Sequence, residues 1–376
     1  MAAATQKNHT VTADEIREQY KKFVGRKVFF IFLFIALIVL ISGISTTLGS
    51  YPIAVAEVYS IILHGFVTIL QNLDFIIAHG VREFVREYFT TAEVVVWQLR
   101  LPRIFLGIVA GIGLGLAGAV MQAILRNPLA SPYTLGISSG AGFGASLAIL
   151  AGAGLIGGKY LIIGNAFIFA LLVAFIILGL SSRKGATPET MILAGIAMMY
   201  LFGAMTTILQ YFGEAEAVKE AVFWMVGDLN RASWSVVTIV SVVIALCAPY
   251  LMAKSWDLNV MGAGDETAKS LGVNVKRTRV TTMVVSTVMV ATIVCFTGTI
   301  GFIGLVAPHM TRLAIGGDNK YVLPVSGLLG AVILITADLV ARRIIAPVIL
   351  PVGAVTAFMG APLFLYLIMR RRREYW

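Results

Sequence analysis

Val280–Thr311 reads VTTMVVSTVMVATIVCFTGTIGFIGLVAPHMT, and the number of times it crosses a membrane decides the fold. The run is 32 residues long and holds no Asp, Glu, Lys or Arg. One crossing takes about 20 apolar residues. At 1.5 Å per residue the run supplies about 48 Å of helix, too much for one crossing and enough for two short ones. Arg279 precedes the run and Arg312 follows it. With both on the cytoplasmic side, the number of crossings between them is even. Two helices are therefore expected, broken near Thr297-Gly298-Thr299, with the shorter one sheltered by protein because lipid cannot satisfy free backbone groups.

The rest of the chain has the same character. It has 376 residues, 59% of them hydrophobic and 13% charged, whereas soluble domains average about 25% charged residues. Span-length apolar runs occupy 28–48, 104–125, 133–153, 160–182, 190–212, 232–253, 321–341 and 350–369. With the two helices of 280–311 this gives an all-α polytopic membrane protein of ten transmembrane helices, both termini cytoplasmic. Residues 1–27 form a cytoplasmic N-terminal segment, in which 14–27 reads as an amphipathic surface helix or a disordered tail. Residues 28–370 form the membrane domain, and 371–376 a basic cytoplasmic tail. In this arrangement 20 of the 29 Lys and Arg residues fall inside, among them Lys21, Lys22, Arg26, Lys27, Arg126, Arg183, Lys184 and Arg370 to Arg373. That bias accounts for the net charge of +10 without nucleic acid. A polar segment of 27 residues precedes the first apolar run, and that run has no A-x-A-like cleavage site, so a cleavable signal is not expected. Cys247 and Cys295 lie in apolar runs and read as buried thiols. Ile53–Leu70 is apolar enough to suggest a span, but a crossing there would invert every later loop. Residues 51–99 are therefore placed outside, as amphipathic helices on the membrane surface.

From Lys254 to Arg279 the chain abruptly becomes charged. Its centre, Gly264-Asp265-Glu266-Thr267-Ala268-Lys269-Ser270-Leu271-Gly272, reads as a helix of about two turns. Gly264 or Asp265 caps its start, Lys269 lies near its negative end, and Gly272 suits a left-handed stop. So short a helix is marginal alone in water and needs support. It reads either as a handle for another protein or as an ordinary solvated loop. Ala263–Ser270 ends like a phosphate-binding loop, but alanines 263 and 268 stand where that loop needs glycine, and no strand precedes it. The chain is not expected to bind ATP.

Other features are read by position. Arg100-Leu101-Pro102-Arg103 stands at the outer mouth of the second span, with Pro102 as a helix start. Gly107, Gly111 and Gly115 recur every four residues, as do Gly136, Gly140 and Gly144, a pattern for close helix packing. Gly113 to Gly118 spells a literal G-x-G-x-x-G at mid-membrane with no strand before it, so a nucleotide site is not expected. In the fifth span Met198, Met205, Thr206 and Gln210 are candidates to line a permissive path for a bulky solute. Asp338 and Arg342 are spaced for a helical ion pair. A lone His309 is not a metal site.

Taken in order, certain residues follow one family pattern. They are Arg100-Leu101-Pro102-Arg103, Gly118, Gln122, Asn127-Pro128-Leu129-Ala130, Leu135-Gly136, Gly140-Ala141, Leu193-Ala194-Gly195 and Trp224-x-x-Gly227. The series continues with Gly264 to Gly272, Gly301-Phe302-Ile303-Gly304-Leu305-Val306-Ala307-Pro308-His309, Arg312, Asp338, Arg342, Leu350-Pro351-Val352-Gly353 and Gly360-Ala361-Pro362. Over roughly 28–370 the chain resembles the FecCD-type permeases of binding-protein-dependent ABC importers. The resemblance implies a BtuC-like fold of ten helices and a homodimer with its path on the two-fold axis. It implies two separate ATP-binding cassette ATPase subunits docked on Met261, Gly262, Gly264, Asp265, Glu266, Ala268, Lys269, Leu271 and Gly272. It also implies an extracytoplasmic substrate-binding protein whose glutamates meet Arg100, Arg103 and Arg342. The chain departs from the family in a longer loop at 51–99, in Ile349 where an acidic residue is common, and in the extra Arg343.

The function expected is the permease subunit of a plasma-membrane importer for a metal chelate, ferric siderophore first, with cobalamin and haem next. Such a subunit is not itself an enzyme and holds no cofactor, and ATP is bound by its partner ATPases. A secondary transporter or channel is the rival class, disfavoured by the scarcity of charge at mid-membrane depth. A membrane enzyme would need a cluster of His, Cys or carboxylates at one depth, and none is evident.

Overall fold

The charge-free run breaks at its glycine: one helix, Val275–Thr297, ends on Gly298 at φ +71°, and a second begins at Ile303. The computed structural model describes residues 13–49, 51, 53–182 and 187–370. Residues 1–12 of the expected N-terminal segment, Arg183 and Lys184, and the basic tail 371–376 lie outside the described residues. In chain order the helices are α1 (Ala13–Thr47), α2 (Val55–Gln71), α3 (Leu73–His79), α4 (Val81–Tyr88), α5 (Thr91–Val94), α6 (Leu101–Leu125), α7 (Ile137–Ala151), α8 (Leu161–Ser182) and α9 (Pro188–Phe212). There follow α10 (Ala215–Val226), α11 (Trp234–Ala253), α12 (Ser255–Gly262), α13 (Asp265–Ser270), α14 (Val275–Thr297), α15 (Ile303–Ile315), α16 (Asn319–Arg343) and α17 (Val352–Arg370).

Seven stretches are long and apolar enough to cross a membrane: Val24–Thr47, Thr91–Leu125, Leu161–Ser182, Pro188–Phe212, Trp234–Ala253, Val275–Thr297 and Asn319–Arg343. Three shorter apolar helices, Ile137–Ala151, Ile303–Ile315 and Val352–Tyr366, stand at the other positions where spans are expected. Residues 55–79 form two helices bent by 69° against each other. Their inner side is anchored by the Trp97 indole, which donates to the Ile61 carbonyl at 3.2 Å.

The sequence expectation needs correcting at one helix start. The amphipathic reading of 14–27 assumed a separate element, yet α1 runs from Ala13 to Thr47 without a break. Its polar first turns simply extend the span. Pro102 stands in the first turn of α6, as read, although the chain just before it is already helical. A wide turn over Val95–Arg100, with bonds from residue i to i+5, leads directly into α6.

Helix α6 is the axis of the molecule. Its core window is 78% buried, against 6% for α1. It meets α16, α15, α14 and α11. Close approach is possible because small residues face each neighbour. A Cβ on Gly115 would lie 2.2 Å from the Ser326 carbonyl oxygen of α16, and one on Gly118 would lie 1.9 Å from that of Gly304 on α15. The G-x-G-x-x-G string is thus a packing surface.

A second close junction holds the broken run. Asp228 N–H donates to the Thr297 carbonyl at 2.8 Å, and Gly353 N–H to the Gly227 carbonyl at 3.1 Å. Thr299 Oγ1 donates to the Met225 carbonyl. The end of α10, the gap between α14 and α15, and the start of α17 therefore satisfy one another's free backbone groups. Gly118→Val is expected to abolish the folded protein, because α6 and α15 cannot separate without opening the core. Gly203→Ala, with nothing within 4 Å of its Cβ position, is expected to leave the melting temperature in detergent unchanged or raised. Size-exclusion profiles after heating read both outcomes.

Candidate functional site

The charged stretch folds as an elbow of two short helices, α12 and α13, between α11 and α14. The sequence showed α13, here six residues long, but not α12. Buried Met261, Ala268, Val273 and Val275 form a small apolar core of their own. Gly264 gives α13 its entry at φ +116°, and Gly272 its exit at φ +84°.

Asp265 is the clamp. Arg279 Nη2 donates to Asp265 Oδ1 at 2.8 Å and Nη1 donates to Oδ2 at 3.1 Å, a forked pair. Arg279 Nε donates to the Ile124 carbonyl at 3.1 Å, a free carbonyl in the last turn of α6. Arg126, at φ 46° just past α6, brings Nη2 to 3.5 Å from Asp265 Oδ1. Partial burial opposes ionisation of the Asp265 carboxyl. The hydrogen bonds and charge of Arg279, with Arg126 and Lys269 nearby, outweigh that burial and hold it below the usual carboxylate range.

A second tie was not anticipated. Lys27, 2% exposed, places Nζ 3.1 Å from Asp318 Oδ2 and 4.3 Å from the centre of the Tyr321 ring. Asn259 of α12 donates to Asp318 Oδ1 at 2.9 Å and accepts from the Asn319 N–H at 2.7 Å. Arg312 Nη2 donates to Asn319 Oδ1 at 3.1 Å. The elbow is thus joined to α1, α15 and α16. Asp318 before Asn319 is a readable cap signal, but its partners lie far away in sequence. The Asp318 carboxyl is also held low: burial opposes this, and bonds from Asn259, Lys27 and the Lys320 N–H prevail.

These ties sort the nine expected coupling residues. Met261 and Ala268 are buried scaffold, Gly264 is half-buried, and Asp265, a quarter exposed, spends its carboxylate on Arg279. Glu266, Lys269 and Leu271 point outward, together with Gly262 and Gly272. Glu266 and Lys269 pair at 2.7 Å on the exposed side.

At the opposite end of α6 the expected docking arginines are also spoken for. Arg103 Nε donates to Asp338 Oδ1 at 2.8 Å, and Arg342 Nε lies 3.0 Å from Asp338 Oδ2. The spacing-based Asp338–Arg342 pair is therefore one side of a three-member cluster. Arg103 also donates to Asn230, and Arg342 to Ser45. Arg100 Nη1 donates to the Thr46 carbonyl at 2.8 Å, capping the end of α1. All three arginines border an open cleft of about 280 Å³ shared with Tyr51, Asn230 and the exposed Arg343.

The path candidates on α9 do not share one exposed face. Thr206 is 4% exposed and donates to the Phe202 carbonyl, so the expectation that it lines a path is corrected: its hydroxyl is spent within its own helix. Met198 and Met205 pack against the chain's own core. Gln210 Nε2 lies 3.9 Å from Met225 Sδ. The open face of α9 carries Leu193, Tyr200, Ile208 and Tyr211 instead. His309 is buried, with its ring edge-on to Phe364. Among the described residues no group of three His, Cys, Asp or Glu side chains could hold a metal ion.

Arg279→Met is expected to cost about 3 kcal/mol, because it strands Asp265 beside a buried surface and frees the α6 carbonyl. Asp265→Asn tests the clamp's pH dependence. A carboxyl with a depressed folded pKa stabilises fully above its unfolded value of about 3.9 and loses that contribution as pH falls through the folded value. The gap in melting temperature between wild type and Asp265→Asn should therefore be constant at neutral pH and close on acidification below pH about 4.

Comparison with known proteins agrees with this architecture. The chain matches the FecCD transport family over residues 31–370. It is 42% identical over 365 residues to the ABC transporter permease protein MJ0087 of Methanocaldococcus jannaschii, covering 95% of this chain and 98% of that protein. It is 40% identical over 282 residues to the cobalamin import system permease protein BtuC of Halobacterium salinarum, covering 75% of each. Among solved structures it resembles a metal-chelate type ABC transporter in an inward-facing conformation, with TM-score 0.74 and 28% identity, covering 92% of this chain and 100% of that one. The packing, the elbow and these similarities converge: the chain is a multi-pass membrane protein that belongs to the FecCD transport family of ABC importer permeases.

Proposed function

We propose that the chain forms the translocating subunit of a plasma-membrane importer for a metal chelate, with ferric siderophore as the leading substrate and cobalamin or haem as alternatives. Two copies pair about a two-fold path, each with ten spans and both termini cytoplasmic. Two ATPase subunits grip the elbows, and a substrate-binding protein docks on the opposite face. The chain itself carries no catalysis, and ATP is bound and hydrolysed by the partners.

The observation that carries this reading is the rigid mounting of the elbow. A helix of six residues cannot persist alone in water. Here it is fixed through Asp265 and Arg279 to α6, and through Asn259 and Asp318 to α1 and α16. A load on the exposed Glu266, Lys269 and Leu271 therefore passes into the central packing helix instead of bending a loop. Closure of the ATPases would push the two elbows and re-angle the helices around the path. The substrate class rests on the relatives' cargo, one of them a cobalamin permease and one a metal-chelate type transporter. The cleft with Arg100, Arg103 and Arg342 suits carboxylates on a docking protein. Each arginine would add such a contact from the edge left uncovered by its internal partner.

The deciding experiment is ATP-dependent uptake in proteoliposomes that hold the chain with its co-expressed ATPase and binding protein. Ferric siderophore, haem and cobalamin are offered separately. Uptake of one alone names the cargo, and uptake without ATP overturns the importer reading. Reversing the exposed pair, Glu266→Lys with Lys269→Glu, is expected to lower uptake about tenfold while ATPase activity persists. Full uptake would remove the elbow from the ATPase interface. Arg342→Gln should weaken binding-protein docking more at low salt than at high salt.

A further inference from the structure

A cleft of about 430 Å³ opens beside the elbow, where α11 ends, α12 turns and α14 begins. Its wall includes Tyr250, Lys254, Trp256, Asp257 and Arg277. Lys254 is already paired with Asp257 at 2.8 Å. Arg277 makes no side-chain bond with any described residue, and neither do the Tyr250 hydroxyl and the Trp256 indole N–H. Three donors without a partner among the described residues thus belong to residues that line one cleft. With two cations and one carboxylate, its wall carries one net positive charge.

The position of the cleft narrows the ligand. It lies at the ends of two candidate spans, Trp234–Ala253 and Val275–Thr297, hence at the boundary of hydrocarbon and water. Tyr and Trp rings favour that boundary. From the cleft, α11 exposes Tyr250, Leu246, Val242 and Ile239, a stripe on one helix face. From Ile239 to Tyr250, eleven steps of about 1.5 Å make the stripe about 16 Å long, close to half of a hydrocarbon core about 30 Å thick. That is the depth of one leaflet.

We propose that this cleft is a lipid site. It takes the phosphodiester headgroup of one membrane phospholipid, whose single negative charge matches the single unpaired cation. Arg277 offers the phosphate a forked pair of N–H donors, with the Tyr250 hydroxyl and the Trp256 indole at its sides. An acyl chain lies along the α11 stripe. A free phosphate shares the headgroup chemistry but has no use for the stripe. Basic pockets between spans hold lipid headgroups by this logic. Gly272, the exit of α13, lines the same cleft, so an occupying lipid braces the hinge between α13 and α14. The site needs only that the chain spans a membrane, and it stands or falls separately from the choice of cargo or ATPase.

Native mass spectrometry of the full-length chain released from detergent tests this. Phosphatidylglycerol, diacylglycerol and glycerol 1-phosphate are titrated in turn. One phosphatidylglycerol per chain should be retained, with neither of the other two held at comparable concentration. Arg277→Gln should lower that retention about tenfold, the loss of one charge-assisted phosphate contact. Lys276→Gln, an exposed neighbour outside the cleft, should leave it unchanged, and Leu246→Ser should lower it. Melting curves establish that each variant is folded. Equal retention by wild type and Arg277→Gln would overturn the site. Diacylglycerol held as well as phosphatidylglycerol would remove the phosphate from it. Glycerol 1-phosphate held as tightly as the lipid would assign the cleft to a soluble phosphate and overturn the lipid reading.

Discussion

One guanidinium joins the two halves of this protein's design. Arg279 sits 1% exposed at the start of α14 and makes two kinds of bond at once. It gives Asp265 a forked pair, and it gives the Ile124 carbonyl the donor that the end of any helix lacks. A buried arginine is costly to desolvate unless its donors are filled. Here the filling partners belong to the central packing helix and to the elbow. The charge therefore links the membrane core to the exposed handle, with few rotatable bonds between them. An ordinary loop would leave the same six-residue helix to fray.

The opposite end of α6 follows the same rule with different residues. Asp338 is shared by Arg103 and Arg342, and Arg100 covers the last carbonyls of α1. Between the two ends the helix carries almost no polarity, and contact is made by backbone against backbone at Gly111, Gly115 and Gly118. Polar clusters at the two ends and glycine contact between them give one stiff element. That arrangement suits a part that transmits displacement, because neither end can shift without the other.

Much of this was legible in the sequence for a simple physical reason. Hydrocarbon thickness sets helix length, so span positions follow from counting apolar residues. The break at Gly298 follows from the same count, and the Asp338–Arg342 pair from helical spacing. What escaped the reading depends on partners remote in sequence. Ile124 and Arg279 are 155 positions apart, Arg103 and Asp338 235, Lys27 and Asp318 291. Periodicity shows that a charge lies near a membrane boundary but not whether it faces out to a partner or in to the chain. Asp265 and the rim arginines were read by position alone, so their internal partners were missed, apart from Asp338 for Arg342. In α12, Ser255 to Gly262 carries no clean apolar stripe, so its helix was invisible without its bonds to α16.

Helix α1 lies along α16, and its polar ties cluster toward its two ends among the described residues. Near one end the Lys27 ammonium is locked to Asp318, and at the other the carbonyls of Thr46 and Thr47 receive Arg100. Between the moorings Phe29, Phe32, Val39 and Leu40 stand exposed. On that outward face the helix owes the fold its length and apolar character more than particular residues. Its middle can drift through apolar substitutions, or bow to follow a thinner or thicker bilayer, while the distance between its anchors stays fixed.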